Sequence, residues 1–222
     1  MVYTWIGDVR PLLQGSCYTK YWRQLPDHRR EKADRYRFPM GRALSAGVWI
    51  LWQQARRALD LPPDAPFNLS HSGYYALCAA ADGTHRMDGP VRSEGPIQVG
   101  CDVEQITAYR DGIARRFFCP REYAHIQAQK DPDMQRQLFF RYWVLKESFM
   151  KATRQGMAMG LDSFCLDVAD DAADGADPVL HSCPGPYERG SYHFREFDLG
   201  SYRAAVCSTD PTIAPLLHWI TF

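Results

Sequence analysis

Two carboxylates two residues apart, and an acid–lysine pair four residues apart, are the groups in this chain with the most chemistry to offer. Asp102 and Glu104 lie in Val99-Gly100-Cys101-Asp102-Val103-Glu104, a short run that reads as a strand. Strand side chains alternate, so Asp102 and Glu104 project from one face while Cys101 and Val103 face the other. Two carboxylates placed this way repel each other unless a proton or a cation stands between them. Glu147 and Lys151 belong to Trp143-Val144-Leu145-Lys146-Glu147-Ser148-Phe149-Met150-Lys151, one turn apart on one side of a predicted helix. A third carboxylate and an ammonium beside the first pair would suit a divalent ion bound to a phosphate ester. Taken singly, each feature has an ordinary alternative. The first could be a solvated strand edge, and the second an exposed i,i+4 ion pair of about 0.3–0.5 kcal/mol.

The elements that must position these groups can be read from periodicity. Residues 25–58 read as helical in two pieces broken near Phe38-Pro39, because proline disfavours helix in the residue before it. In the second piece Leu44, Val48, Leu51, Ala55 and Leu59 recur as one apolar stripe, and the Pro-rich run Leu61 to Pro66 ends it. Tyr74 to Ala81 and Ile97 to Ile106 read as strands, separated by an exposed loop from Asp82 to Gly95. Cys119-Pro120-Arg121-Glu122 marks a helix start, with proline first and an acid in the first turn. From Met134 to Lys151 the stripe Leu138, Tyr142, Leu145 and Phe149 is widened by Phe139, Trp143 and Met150, which predicts a largely buried helix. Asp167 to Pro178 reads as a surface loop, and Tyr192 to Phe197 with Tyr202 to Ser208 as a closing hairpin. A faint internal echo links Gly73-Tyr74-Tyr75-Ala76-Leu77-Cys78-Ala79 to Gly200-Ser201-Tyr202-Arg203-Ala204-Ala205-Val206-Cys207-Ser208.

Composition narrows the function classes. A chain of 222 residues, 45% of them apolar, can bury a sizeable core in one large or two small domains. Formal charge balances at zero, so no overall basic field argues for nucleic acid. No stretch reaches the ~18 consecutive apolar residues of a membrane helix. Met1 to Gly15 lacks the basic start and apolar run of a signal peptide. The expectation is a soluble, cytoplasmic monomer without membrane or nucleic-acid partners. Seven dispersed cysteines (17, 78, 101, 119, 165, 183 and 207) without a C-x-x-C pair argue against structural zinc or a disulfide framework. Cys78, Cys101 and Cys207 sit in apolar strand-like runs and are expected to be buried hydrophobes.

Four ordered segments resemble the 4′-phosphopantetheinyl transferases, the larger type that activates peptide synthetases such as surfactin synthetase. They are Phe67-Asn68-Leu69-Ser70-His71-Ser72-Gly73, the carboxylate strand from Val99, Ala114-Arg115-Arg116-Phe117-Phe118 followed by Glu122, and the run from Trp143 to Met157. The resemblance spans about residues 29 to 165 and implies an α+β fold. In that fold two similar α/β halves, each a small mainly antiparallel sheet with packed helices, form a pseudo-dimer, here 1–95 and 96–222. The implied activity is transfer of 4′-phosphopantetheine from coenzyme A to a serine of an acyl or peptidyl carrier protein, releasing 3′,5′-ADP, with Mg2+ (Mn2+ possible) as cofactor. By the same resemblance Asp102, Glu104 and Glu147 would hold the metal. Lys151 would neutralise the pyrophosphate, and Glu147, or water it orients, would be the base. Ser70 and His71 would contact a coenzyme A phosphate, and Arg29, Lys32 and Arg42 would read the 3′-phosphate. Phe117 and Phe118 fit core or carrier-binding surface, with Phe117 assigned to core.

The chain also departs from that family. Leu59 runs through a short Pro-Pro loop into Phe67, where family members carry a longer segment with a Gly-Lys-Pro near the adenine; Asp82 to Pro96 is longer than usual. The shortened segment motivates an alternative, a degenerate homologue that binds coenzyme A or a carrier without turnover. An unrelated metal-dependent phosphohydrolase is the third reading; neither a His-Asp cluster nor a P-loop accompanies the carboxylates.

Overall fold

Val2–Asp8 (β1) forms the strand around which the first sheet is built, because neighbours on both sides satisfy its backbone. In this computed structural model, which describes residues 1–83, 96–170, 177–187 and 189–222, three helices follow it. They are α1 (Gly15–Trp22), α2 (Asp27–Asp34) and α3 (Pro39–Ala58). The break expected at Phe38-Pro39 is present: Pro39 takes the first turn of α3, where its missing N–H costs nothing. Strands β2 (Phe67–Ser72) and β3 (Tyr75–Ala81) make a hairpin, and β4 (Val99–Gln105) carries the two carboxylates. Then come α4 (Asp111–Phe117), α5 (Pro120–Ala128) and α6 (Pro132–Ala152). Strands β5 (Cys165–Asp167), β6 (Val179–Ser182), β7 (His193–Asp198), β8 (Tyr202–Ser208) and β9 (Ile213–Thr221) complete the chain.

The strands pair as β2-β3-β1-β9, β4-β8-β7 and β5-β6. All pairings are antiparallel except β1 with β9, so the last strand closes onto the first sheet. The fold is mixed α+β, with small, mainly antiparallel sheets and packed helices. Alternation sorts the core into layers. On β3, Ala76, Cys78 and Ala80 face α3, where they meet Leu44, Val48, Leu51 and Trp52. Leu77, Ala79 and Ala81 face the second sheet and meet Cys101, Val103, Ala204 and Val206. On β8 the complementary residues Ala205 and Cys207 face Phe149 and the rest of α6. The order is therefore α3, first sheet, second sheet, α6. The echoed segments become β3 and β8, each shared between its own helix and the common inter-sheet core.

Val2–Asp8, Gly15–Trp22 and Ile213–Thr221 are elements that periodicity did not single out. Most of the loop expected from Asp82 to Gly95, and part of that from Asp167 to Pro178, lie outside the described residues. Cys78, Cys101 and Cys207 are buried as expected. Cys119 and Cys165 correct the reading of the cysteines: they form a disulfide across 46 residues of sequence. Cys119 caps α5 and Cys165 opens β5, so the fold juxtaposes two positions that spacing alone could not pair. Phe118, not Phe117, is the fully packed member of its pair: Phe118 is buried and Phe117 lies half-buried against the same core. Among the described residues, no helix is long and apolar enough to cross a membrane.

Candidate active site

The site grows from a seam between two sheet edges. Strand β2 edges the first sheet and β4 edges the second, and polar side chains, not a backbone ladder, join them. Asn68, Ser70 and Ser72 alternate along β2 and project the same way. Asn68 Oδ1 accepts from Cys101 N at 3.1 Å, Ser70 Oγ donates to Asp102 Oδ1 at 2.7 Å, and Ser72 Oγ donates to Glu104 Oε2 at 2.7 Å. Ser72 Oγ also accepts from Gln105 N at 3.1 Å. The turn after β2 depends on Gly73, whose φ of +55° favours glycine and whose Cβ would collide with Tyr202 and Gln105.

Helix α6 brings the remaining groups. It can lie directly on β4 because Gly100 has no side chain; a Cβ there would run into the Ser148 carbonyl and the Ala152 amide. Lys151 Nζ then donates to Asp102 Oδ1 at 2.6 Å and to Ser70 Oγ at 3.2 Å. Asp102 is buried, and its second oxygen, Oδ2, has no hydrogen-bond partner among the described residues. Burial pushes the Asp102 carboxyl up against the opposing pull of Lys151. Burial also disfavours the Lys151 ammonium, but Asp102 outweighs it and holds the lysine above its usual range. Glu104 is raised by burial, with Ser72 opposing and Asp102 and Glu147 adding to the rise. Glu147 is likewise raised by burial and by the Asp102 charge, with Lys151 opposing.

The arrangement is a cluster of three carboxylates with one ammonium beside them. Carboxylate oxygens are the ligand type that a hard divalent cation takes, and Asp102, Glu104 and Glu147 are the residues here that could supply them. The ligand atoms of Asp102, Glu104 and Glu147 do not all lie within 4.8 Å of one another. Lys151 is the hydrogen-bonded counter-charge of Asp102.

The carboxylate strand and the α6 lysine fall within residues 98–207, which match the family model described as the 4′-phosphopantetheinyl transferase superfamily. The chain belongs to that superfamily. It is 34% identical to a 4′-phosphopantetheinyl transferase of Bacillus subtilis over 72% of this chain and 62% of that protein. It is 36% identical to the 4′-phosphopantetheinyl transferase Sfp of the same species over 67% of this chain and 57% of the relative. The HetI transferase of Nostoc is 39% identical over 41% of this chain and 34% of its own length. The chain thus spans about three-fifths of the length of the Bacillus subtilis relatives.

Within this superfamily member, Ser70, Asp102 and Lys151 meet directly, and Glu104 and Glu147 share their electrostatic environment. Ser70 turns inward to Asp102, whereas His71, the next residue along the strand, is exposed and lies within reach of the charges on Lys151 and Lys32. Arg29 is buried, donating from Nη2 to the Ser45 carbonyl at 3.1 Å with its guanidinium over the Trp49 ring. Arg42 donates from Nε to the Tyr36 carbonyl at 2.9 Å, and Lys32 is exposed on α2. Arg29 and Arg42 therefore take partners away from the seam. Sequence reasoning missed Asn68 and Ser72 as seam residues. The signal was present as polar residues at i, i+2 and i+4 of a strand.

Proposed function

We propose that this chain transfers 4′-phosphopantetheine from coenzyme A to a serine hydroxyl of an acyl or peptidyl carrier protein, releasing 3′,5′-ADP. The observation that carries the reading is the seam itself: a buried Asp102 shared by Ser70 and Lys151, with one oxygen left unpartnered beside Glu104 and Glu147. Asp102, Glu104 and Glu147 would hold Mg2+, or Mn2+, whose charge would offset that of the pyrophosphate. Lys151 adds a second positive charge for the pyrophosphate, and Ser70 orients it. Glu147 is the base for the proton of the attacking serine. His71 contacts a coenzyme A phosphate, and Arg29, Lys32 and Arg42 face the 3′-phosphate, which guanidinium forks and an ammonium suit. On this reading the coenzyme A contacts come from residues 1–95 and the carboxylates from 96–222, with the chain acting as a cytoplasmic monomer. The reaction needs no nucleophile from the enzyme, in keeping with the burial of Cys78, Cys101 and Cys207.

The test is incubation of an apo-carrier protein with coenzyme A and magnesium, read by intact mass. A phosphopantetheine adduct is expected. Binding without an adduct would favour the non-catalytic homologue, and cleavage of coenzyme A without an adduct would favour a hydrolase.

A further inference from the structure

Beside the seam lies a closed set of contacts that the proposed chemistry does not use. Lys146 Nζ donates to Glu122 Oε1 and to the Phe164 carbonyl, each at 2.7 Å, and neither charged side chain has any exposure. Glu122 Oε1 also accepts from Leu166 N at 2.8 Å, and its Oε2 accepts from Cys119 N at 3.1 Å. The Cys119–Cys165 disulfide joins the same two segments, the start of α5 and the start of β5. The Lys146 ammonium further sits over the Phe164 ring, 4.1 Å from its centre and one residue from Cys165. Three elements therefore meet at one point, α5 and β5 covalently, and both with α6 through Lys146. The next residue on α6 is Glu147.

We propose that the Cys119–Cys165 pair is a redox-sensitive lock on α6. Through Glu122, Phe164 and Lys146 it sets where Glu147 stands at the seam. Its effects on turnover and on magnesium binding rest on the transferase reading; its effect on the mobility of α6 does not. The chemistry is thiol–disulfide exchange with a dithiol reductant. One thiolate attacks the sulfur of Cys165, the less buried of the two cysteines. The Cys119–Cys165 bond breaks, a mixed disulfide forms on Cys165, and Cys119 leaves as a thiolate and takes up a proton. The second thiol of the reductant then closes on the first, releasing Cys165 as a thiol. Two electrons and two protons pass to the protein, and the reductant becomes a cyclic disulfide. Afterwards only non-covalent contacts hold α5 to β5, and the partners of Lys146 sit on segments that can separate. Because a displacement of about 1 Å at a catalytic group can cost ~10²-fold in rate, a partial release should cost roughly tenfold.

The experiment uses the full chain before and after dithiothreitol treatment. Non-reducing peptide mapping is expected to recover a 119–165 cross-link. Reduction should lower transfer to an apo-carrier about tenfold, speed amide exchange across 144–152 and weaken magnesium binding measured by calorimetry, and reoxidation should reverse all three. The double variant C119S/C165A should match the reduced protein and ignore dithiothreitol; serine keeps the cap at 119. Unchanged exchange and magnesium binding on reduction would overturn the lock, as would mapping that finds no cross-link. If neither redox state modifies a carrier or binds magnesium, the transferase reading fails on its own, and amide exchange with the cross-link map still decides the lock.

Discussion

Helix α6 carries two lysines five residues apart, each paired with a carboxylate on another element, yet the two pairs are built to opposite ends. Lys146 and Glu122 have no exposed side-chain surface; both Glu122 oxygens accept hydrogen bonds, and the ammonium donates two. Lys151 is 29% exposed, and its partner Asp102 keeps one buried oxygen without a donor. The first pair closes on itself; the second stays open, with Glu104 and Glu147 adding charge. Burial of charge is therefore not the mark of a site. A carboxylate with both oxygens engaged is a strut, and one with an oxygen left unpartnered has capacity for a ligand.

The sharpest way to break this comparison is to remove one acid from each pair. Asp102→Ala should nearly abolish transfer, by roughly 10³-fold or more, because a Lewis-acid contribution is worth several kcal/mol. Stability should hold, since the loss relieves repulsion among three carboxylates and leaves a lysine that can reach water. Glu104→Ala should behave alike. Glu122→Ala should instead cost about 3–5 kcal/mol of stability, because it strands a fully buried ammonium. Denaturant titration beside the mass assay separates the two outcomes. Wild-type turnover in Asp102→Ala, or unchanged stability in Glu122→Ala, would erase the distinction.

A smaller effect is expected within the open pair. Glu147→Gln keeps size and polarity but removes charge and basicity, so turnover should fall by at least ~10²-fold, the lower range for one acid–base group. If Glu147 merely paired with Lys151 along the helix, stability would change by at most ~0.5 kcal/mol and activity would barely move. Lys151→Met keeps the apolar stem and deletes the ammonium, and should weaken coenzyme A binding. Near-normal activity in both variants would leave the β4 carboxylates without a helix partner.

Gly100→Ala probes how α6 reaches the seam, and a smaller loss is expected. Its added methyl meets the backbone at Ser148 and Ala152, which cannot swing away as a side chain would. Overpacking of this kind costs about 1–3 kcal/mol, and transfer should fall with the displaced helix. A variant of unchanged melting temperature and rate would show that the close approach is not needed.

The parts legible in the sequence are those whose rules are local. Alternation put Asp102 and Glu104 on one face, and helical spacing put Glu147 and Lys151 on one side. The width of the apolar stripe announced that α6 is buried. Even the strut left a trace: Lys146 follows Tyr142 by four residues and precedes Phe149 by three, so it stands in the apolar stripe of its own helix. What stayed hidden depends on contacts far apart in the chain. The seam joins Asn68 and Ser72 to β4, the Cys119–Cys165 link spans 46 residues, and β9 returns to lie beside β1. No periodicity within a segment encodes which edge it will meet.

The smallest expected effects lie among the cations proposed for the 3′-phosphate, and they need not be equal. Lys32 and Arg42 are exposed, so alanine at either should lose about 0.5–1 kcal/mol of coenzyme A affinity, the range of a solvated ion pair, or roughly two- to fivefold. Dephospho-coenzyme A, lacking that phosphate, should be unaffected by both changes. Arg29 differs because it already serves the fold: it is buried, bonded to the Ser45 carbonyl and stacked on Trp49. Arg29→Ala should therefore lower stability and weaken both donors, coenzyme A the more because it also loses the 3′-phosphate contact, the cation–π contact alone being worth about 0.5–2 kcal/mol. Steady-state kinetics with the two donors, beside a thermal melt, would sort the three residues. Equal losses with both donors at Lys32 and Arg42 would show that these cations do not read the 3′-phosphate. A donor-selective loss at Arg29 with an unchanged melt would place its role in binding and not in the packing of α2 on α3.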